Sequence, residues 1–213
     1  ISTLGFHIKL TNFALPLIAL SFPLLFSSKI KRQYVGELIV GFSILFISLG
    51  FINNLVPNVE SNPDLLGFLR QITERETGSV FIFVVIGFVI TAIFQSSSAT
   101  SALTIVMSFK GWIDFPLAAA MILGENIGTT ITANIAALIG SRRAKQAAFS
   151  HFLINVFGVV VFVLLFRPFI HIADRIVVMI EGASVFSQQI AIPTGLAVFH
   201  TLFNVVNSGV LVN

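Results

Sequence analysis

Gln95-Ser96-Ser97-Ser98-Ala99-Thr100 sits inside a stretch that is otherwise apolar from Val80 to Met107. An amide followed by three consecutive hydroxyls is costly against lipid, where no water is available to pair with them. The same groups make sense lining a polar site enclosed by protein. A second polar break, Gly124-Glu125-Asn126-Ile127-Gly128-Thr129-Thr130, again falls between apolar arms. Two such interruptions in neighbouring apolar segments point to a binding site within a membrane and away from a soluble core.

Composition supports that class. Hydrophobic residues make up 56% and charged residues 10% of the 213 residues, and the mean hydropathy is +0.99. Soluble domains carry about 25% charged residues, so the polar surface a soluble fold needs is missing. A net charge of +3 could hint at nucleic acid. The basic residues, however, fall mostly in two short loops between apolar segments, where the positive-inside rule accounts for them, so no nucleic-acid partner is expected. With no Cys, disulfides, thiolate metal sites and a Cys nucleophile are excluded.

Along the chain, Asn12 to Ser28 is apolar with Pro16 and Pro23, which predicts a short, kinked membrane helix. Lys29, Lys31 and Arg32 follow. Val35 to Val56 reads as a clean span, and Pro57 to Ser79 as a polar loop with room for one surface helix. Then come Val80 to Ser108, Ile113 to Ile139, the basic turn Ser141-Arg142-Arg143-Ala144-Lys145, a span over 147–170, an interfacial segment over 171–189 and a last span over 190–212.

Topology separates two readings of Val80 to Ser108. If Lys29 to Arg32 are cytoplasmic and 80–108 crosses once, Arg142, Arg143 and Lys145 finish on the wrong side. If 80–108 is a re-entrant hairpin turning at the serines, the basic turn is cytoplasmic, as the rule prefers. Its arms, roughly 15 and 8 residues, are also too short to span singly. Such backbone is tolerated where protein buries it or water reaches it.

At a hairpin tip, the second arm starts with its amides and positive dipole end facing the site. With serine hydroxyls, these suit an oxyanion such as phosphate. Carbonyls at the end of the first arm suit sodium, the half-helix arrangement of secondary transporters. Small polar residues also let membrane helices pack closely, the blander alternative. In the second break, Gly124 and Gly128 permit backbone bends, Asn126, Thr129 and Thr130 offer oxygens, and Thr132 and Asn134 extend the polar side. Glu125, the lone acid there, could balance a cation or carry a proton, or snorkel to water. His151 with Asn155 and His200 with Asn204 repeat one pair at i, i+4, on one helix face each. Interhelical hydrogen bonding is the favoured reading, since two His without a carboxylate make a poor metal site. Arg142, Arg143 and Lys145 read as topology determinants, with phosphate attraction at the mouth as a minor role. No Walker loop supports ATP-driven pumping, and no nucleophile turn surrounds Ser96 to Ser98 to support a serine hydrolase.

Gln95 to Thr100 followed by Gly124 to Thr130 resembles the paired signature of the type II sodium-dependent phosphate cotransporter family. Ala147-Ala148-Phe149-Ser150-His151 to Asn155, and His200 to Asn204, are similar to it too. The resemblance covers roughly 80–207 and implies sodium-coupled phosphate symport, with no enzymatic activity and no cofactor besides the coupling ion. Residues Gln95, Ser96, Ser97, Ser98, Asn126 and Thr129 would then hold phosphate. Sodium would be held by Gln95, Ser97, Ser98, Thr100, Glu125, Asn126, Thr129 and Thr130, with His151, Asn155, His200 and Asn204 as structural contacts.

The family is built from two inverted repeats, and one set of motifs is present here. The resemblance therefore implies an all-α polytopic fold, half of an inverted-repeat transporter, with about five membrane helices, one re-entrant hairpin and one unwound helix. Residues 1–56 would be the end of the first repeat and connecting helices, 57–79 an extracytoplasmic loop, and 80–213 the second-repeat transport domain. That domain would hold hairpin 80–108, broken helix 113–139 and helices 147–170 and 190–212. The chain begins at Ile1 and its last residues are apolar, so it is expected to be part of a longer polypeptide. The missing first repeat, membrane lipids and a homodimer are its expected partners. The short 57–79 loop and the lack of any Asn-x-Ser/Thr sequon point to a bacterial member in the plasma (inner) membrane. A regulatory or assembly protein of the same fold, or a transporter of another oxyanion, are the alternatives.

Overall fold

The computed structural model describes residues 11–55 and 76–211. Every regular element among them is helical: α1 (Thr11–Leu25), α2 (Ile30–Leu55), α3 (Glu76–Phe94), α4 (Ser97–Phe109), α5 (Phe115–Ala137), α6 (Arg142–Leu164), α7 (Phe166–Glu181), a 3-10 turn (Gln189–Ala191) and α8 (Ile192–Leu211). Among the described residues, three segments are long and apolar enough to cross a membrane: Ile30–Ile52, Arg142–Leu164 and Gln189–Gly209. Asn12–Leu25, Gly78–Phe94 and Ser97–Phe109 are shorter apolar helices. Of the expected 57–79 loop, residues 57–75 lie outside the described residues, and Glu76 to Ser79 open α3.

The chain forms two compact units, 1–57 and 58–213. In the first, α1 and α2 pack as a pair. Gly36 makes the approach possible, since a Cβ there would lie 3.0 Å from the Leu25 nitrogen. Gln33 Nε2 donates to the Ser27 carbonyl across the turn (2.9 Å). Ser21 and Ser43 are fully buried and donate back to Ile18 and Ile39 carbonyls, so neither hydroxyl is left unpaired in an apolar helix.

In the second unit α5 is the axis, packed by α3, α4, α6 and α8. Its residues Leu117 to Asn126 are all buried. Surrounding protein, and not lipid, is what tolerates its polar residues. The expected unwound segment at Gly124 to Thr130 is absent: α5 is continuous from Phe115 to Ala137. Gly124 and Gly128 serve instead as a small-residue face. A Cβ on Gly124 would sit 1.9 Å from the Val84 carbonyl oxygen, and one on Gly128 would sit 2.6 Å from Thr91 Cβ. From the other side, Gly87 admits the Met121 carbonyl, which a Cβ would meet at 2.1 Å.

The segment expected to be re-entrant forms two helices, α3 and α4, joined by a sharp turn at the serine run. Thr91, one turn before the break, lies against Gly128. Ser101 and Thr104, just after it, reach Glu125. The chain therefore climbs beside α5, turns at Gln95–Ser96 and returns beside it. Its arms are longer than expected, about 28 and 20 Å at 1.5 Å per residue, because α3 starts at Glu76 and α4 runs to Phe109.

The expected span over 147–170 is displaced. Ser141 caps α6 by accepting from the Ala144 amide (3.3 Å), so the basic residues form its first turn. The helix stops at Leu164 because Pro168 has no N–H for the Leu164 carbonyl and its ring clashes there. The amphipathic α7 that follows buries Phe166, Ile170, Ala173 and Val177 at helical spacing. Gly182, at φ 70°, ends it, and Asp174 Oδ1 accepts from Ser184 Oγ (2.7 Å) and the Val185 amide (2.9 Å) to hold the turn into α8. Phe162 packs edge-on against Phe199 and Phe203, joining α6 to α8.

Candidate functional site

The hairpin tip is built by two backbone changes. Gln95 closes α3, its amide donating to the Thr91 carbonyl (2.8 Å), and takes φ 53°, the left-handed region unusual for a residue with a Cβ. Ser96 is extended and caps α4, its Oγ accepting from the Ala99 amide (3.3 Å). The Thr100 amide and Oγ1 both donate to the Ser96 carbonyl (3.1 Å each). Thr100 is fully buried and fastens the turn. The amides of Ser97 and Ser98, first in α4, have no intrahelical acceptor and stand at its positive end. Gln95 and Ser98 are exposed, and Ser96 and Ser97 half-buried. The tip thus combines donors at the start of α4 with the last, uncapped carbonyls of α3, the pairing an anion and a cation each require.

Facing it, the polar residues of α5 point to different neighbours, because adjacent helical residues diverge by about 100°. Glu125 is 1% exposed and turns to α4, where Ser101 Oγ donates to Oε2 and Thr104 Oγ1 to Oε1 (2.7 Å). Asn126 turns to α8. Its Nδ2 donates to the Ile122 carbonyl (2.7 Å), so Oδ1 is the atom 3.3 Å from His200 Nε2. A hydrogen bond there needs the imidazole proton on Nε2. Thr129 and Thr130 donate to the carbonyls of Asn126 and Ile127 (2.7 Å each). Their oxygens are tied to α5, not freed by unwinding. Asn134 Nδ2 bridges the Thr130 carbonyl (2.9 Å) and the Ala148 carbonyl (3.1 Å), which ties α5 to α6. Thr132 is exposed.

The histidine–asparagine pairs do not bond across helices to each other. Asn155 Nδ2 donates to the His151 carbonyl and Asn204 Nδ2 to the His200 carbonyl, each within its own helix (3.0 Å). His200 alone joins the site, through Asn126. His151 faces the groove of Ala133, Ala136 and Ala137. Asn207 adds to the α6–α8 contact by packing against Gly158, where a Cβ would lie 2.3 Å from Asn207 Oδ1.

Three residues near the site were missed in the sequence. Ser101 and Thr104 follow the serine run at the i, i+3 spacing of one face, which was the available signal. Thr91 interrupts the apolar run before the tip. It is fully buried, and its hydroxyl has no partner among the described residues. No group of three or more His, Cys, Asp or Glu that could hold a metal ion occurs among the described residues.

A family model described as Na+/Pi-cotransporter matches residues 65–186, which include the hairpin, α5 and α6. YqeW of Bacillus subtilis (strain 168) is 32% identical over 178 residues, 83% of this chain and 52% of YqeW. The putative inorganic phosphate export protein YjbB of Escherichia coli (strain K12) is 24% identical over 143 residues, 67% of this chain and 25% of YjbB. Mouse sodium-dependent phosphate transport protein 2C is 36% identical over 90 residues, 40% of this chain and 15% of that protein. The chain thus corresponds to about half of YqeW and a smaller share of the others. No solved structure matches. The match over residues 65–186, more than half of the sequence, makes this chain a member of the Na+/Pi-cotransporter family.

Proposed function

We propose that this chain is the second-repeat portion of a membrane transporter that moves inorganic phosphate together with sodium. The observation that supports the reading is the break at Gln95–Ser96, where a new helix starts at Ser97 with a serine-rich first turn and amides that have no intrahelical acceptor. Phosphate sits at the tip, held by the Ser97 and Ser98 amides, the hydroxyls of Ser96 to Ser98 and the Gln95 amide, with Asn126 and Thr129 opposite. Sodium takes the carbonyl end of α3 with oxygens from the same segments, and its charge offsets the anion where the dielectric is low. A first repeat elsewhere in the complete protein supplies the other half of the site, in a plasma-membrane fold whose hairpin enters and leaves on one side. YjbB is named as a phosphate exporter. A symporter runs either way with its gradient, so the reading accommodates both directions.

The test is phosphate uptake by the complete transporter in proteoliposomes, with and without an inward sodium gradient. Uptake should require sodium. Gln95→Ala and Ser97→Ala should each lower it at least about tenfold, the factor for 1.4 kcal/mol of lost binding, with membrane insertion unchanged. Wild-type rates in both variants would remove the tip from the site. Uptake of sulfate in preference to phosphate would change the substrate.

A further inference from the structure

Glu125 is the one charged group buried deep within α5, and the tip does not use it. Its two oxygens meet the hydroxyls of Ser101 and Thr104, and Thr104 is fully buried. No ionic partner to it occurs among the described residues. α4 has no ionisable side chain from Ser97 to Phe109, and α3 has none from Ser79 to Phe94. α6 brings His151 to the Ala133–Ala137 end of α5, with Arg142, Arg143 and Lys145 exposed at its start. α8 brings His200, which is engaged by Asn126. Lys110 and Asp114 belong to the turn before α5, near three turns away along the helix.

A carboxylate this buried, held by hydroxyls alone, needs a positive charge to accompany it. Sodium is poorly served here. The ion is usually completed by carbonyls of unwound backbone, and α5 is a continuous helix whose carbonyls are engaged. A proton is well served. A hydroxyl both donates and accepts, so a neutral carboxyl can donate from Oε2 to Ser101 Oγ while Thr104 donates to Oε1.

We infer that Glu125, Ser101 and Thr104 form a proton-binding site, separate from the hairpin tip, that is filled while α4 is docked on α5. When water reaches the site the proton leaves to solvent, and the bare carboxylate then favours separation of α4 from α5. The transport consequence rests on the function proposed above; the protonation itself does not.

The test is infrared difference spectroscopy of the complete transporter in membranes, wild type against Glu125→Gln, across pH and with or without sodium. A protonated-carboxyl band is expected in wild type at neutral pH, absent from Glu125→Gln and unaffected by sodium at fixed pH. Thr104→Val should keep the band and move it to higher frequency, as one hydrogen bond is lost. This variant also answers for a Glu125→Gln protein that does not fold. In transport, the pH dependence of sodium-driven uptake, up to about tenfold per pH unit for one proton, should flatten in Glu125→Gln. A band removed by sodium would overturn the proton assignment in favour of a sodium site. No band at any pH, or a Thr104→Val band that does not move, would overturn the arrangement itself. A normal band in a protein that moves no phosphate would leave the proton site standing and remove the transport reading.

Discussion

The two polar interruptions look alike in the sequence and behave oppositely in the structure. At Gln95–Ser96 the helix breaks, and at Gly124 to Thr130 it does not. Both contain hydroxyls, and the second contains two glycines, the residues most often associated with bending. The difference is what satisfies the backbone. After Gln95, the Ser96 side chain accepts the Ala99 amide, so a new helix can start at Ser97 at little cost. In α5 Glu125, Asn126, Thr129 and Thr130 each bond within the helix or to a neighbouring helix, and the glycines are occupied by the backbone of α3. Glycine spacing of four inside a membrane protein therefore reads first as close packing and only second as flexibility.

The largest effect should come from filling that contact. Gly124→Ala places a methyl where the Val84 carbonyl lies, with backbone on both sides and no flexible side chain to yield. We expect a loss of about 3 kcal/mol, the upper part of the overpacking range, read as a lower midpoint in thermal unfolding of the purified protein. Gly41→Ala is the control. Nothing lies within 4 Å of its Cβ position, and a helix-interior glycine replaced by alanine should gain about 0.5–1 kcal/mol. Equal midpoints for the two variants would dissolve the contrast between packing and bending.

The Asn126–His200 contact carries the next effect. Asn126→Ala leaves the His200 N–H, which is half-buried, without its acceptor, at about 1 kcal/mol. If the contact orients Asn126, the double variant with His200→Ala should cost less than the two singles added, by about 0.5–3 kcal/mol. Strict additivity in a thermal-stability cycle would make His200 a bystander to the site.

The helical class, the hairpin's turning point and the membrane character were legible because they rest on local signals. These are the apolar run to Phe94, the serine run and the low charge. Pro168, equally local, marked the break after Leu164 and was passed over in favour of continuous hydropathy from Ala147 to Ile170. What was not legible is which side of α5 each polar residue takes. Glu125 and Asn126 are adjacent in sequence and serve different helices, a matter of rotation about the axis once α4 and α8 are placed. For the histidine–asparagine motifs, His200 makes its contact across helices to Asn126, whereas the two asparagine amides stay local. Each asparagine finds its acceptor one turn back in its own helix before any partner arrives.

The tip supplies the smallest predicted changes in stability. Ser96→Ala removes the cap of α4 and should cost about 1 kcal/mol, with Ser96→Asp restoring most of it. Gln95→Gly moves the other way. It removes a side chain from a left-handed backbone, relieving about 1 kcal/mol of strain, and keeps the turn. Phosphate uptake should nonetheless fall with Gln95→Gly, because the side-chain amide is gone. That pairing of a raised unfolding midpoint with lost uptake is what distinguishes a residue kept strained for its chemistry from one kept for the fold. A Gln95→Gly protein that is more stable and fully active would mean that the glutamine serves neither.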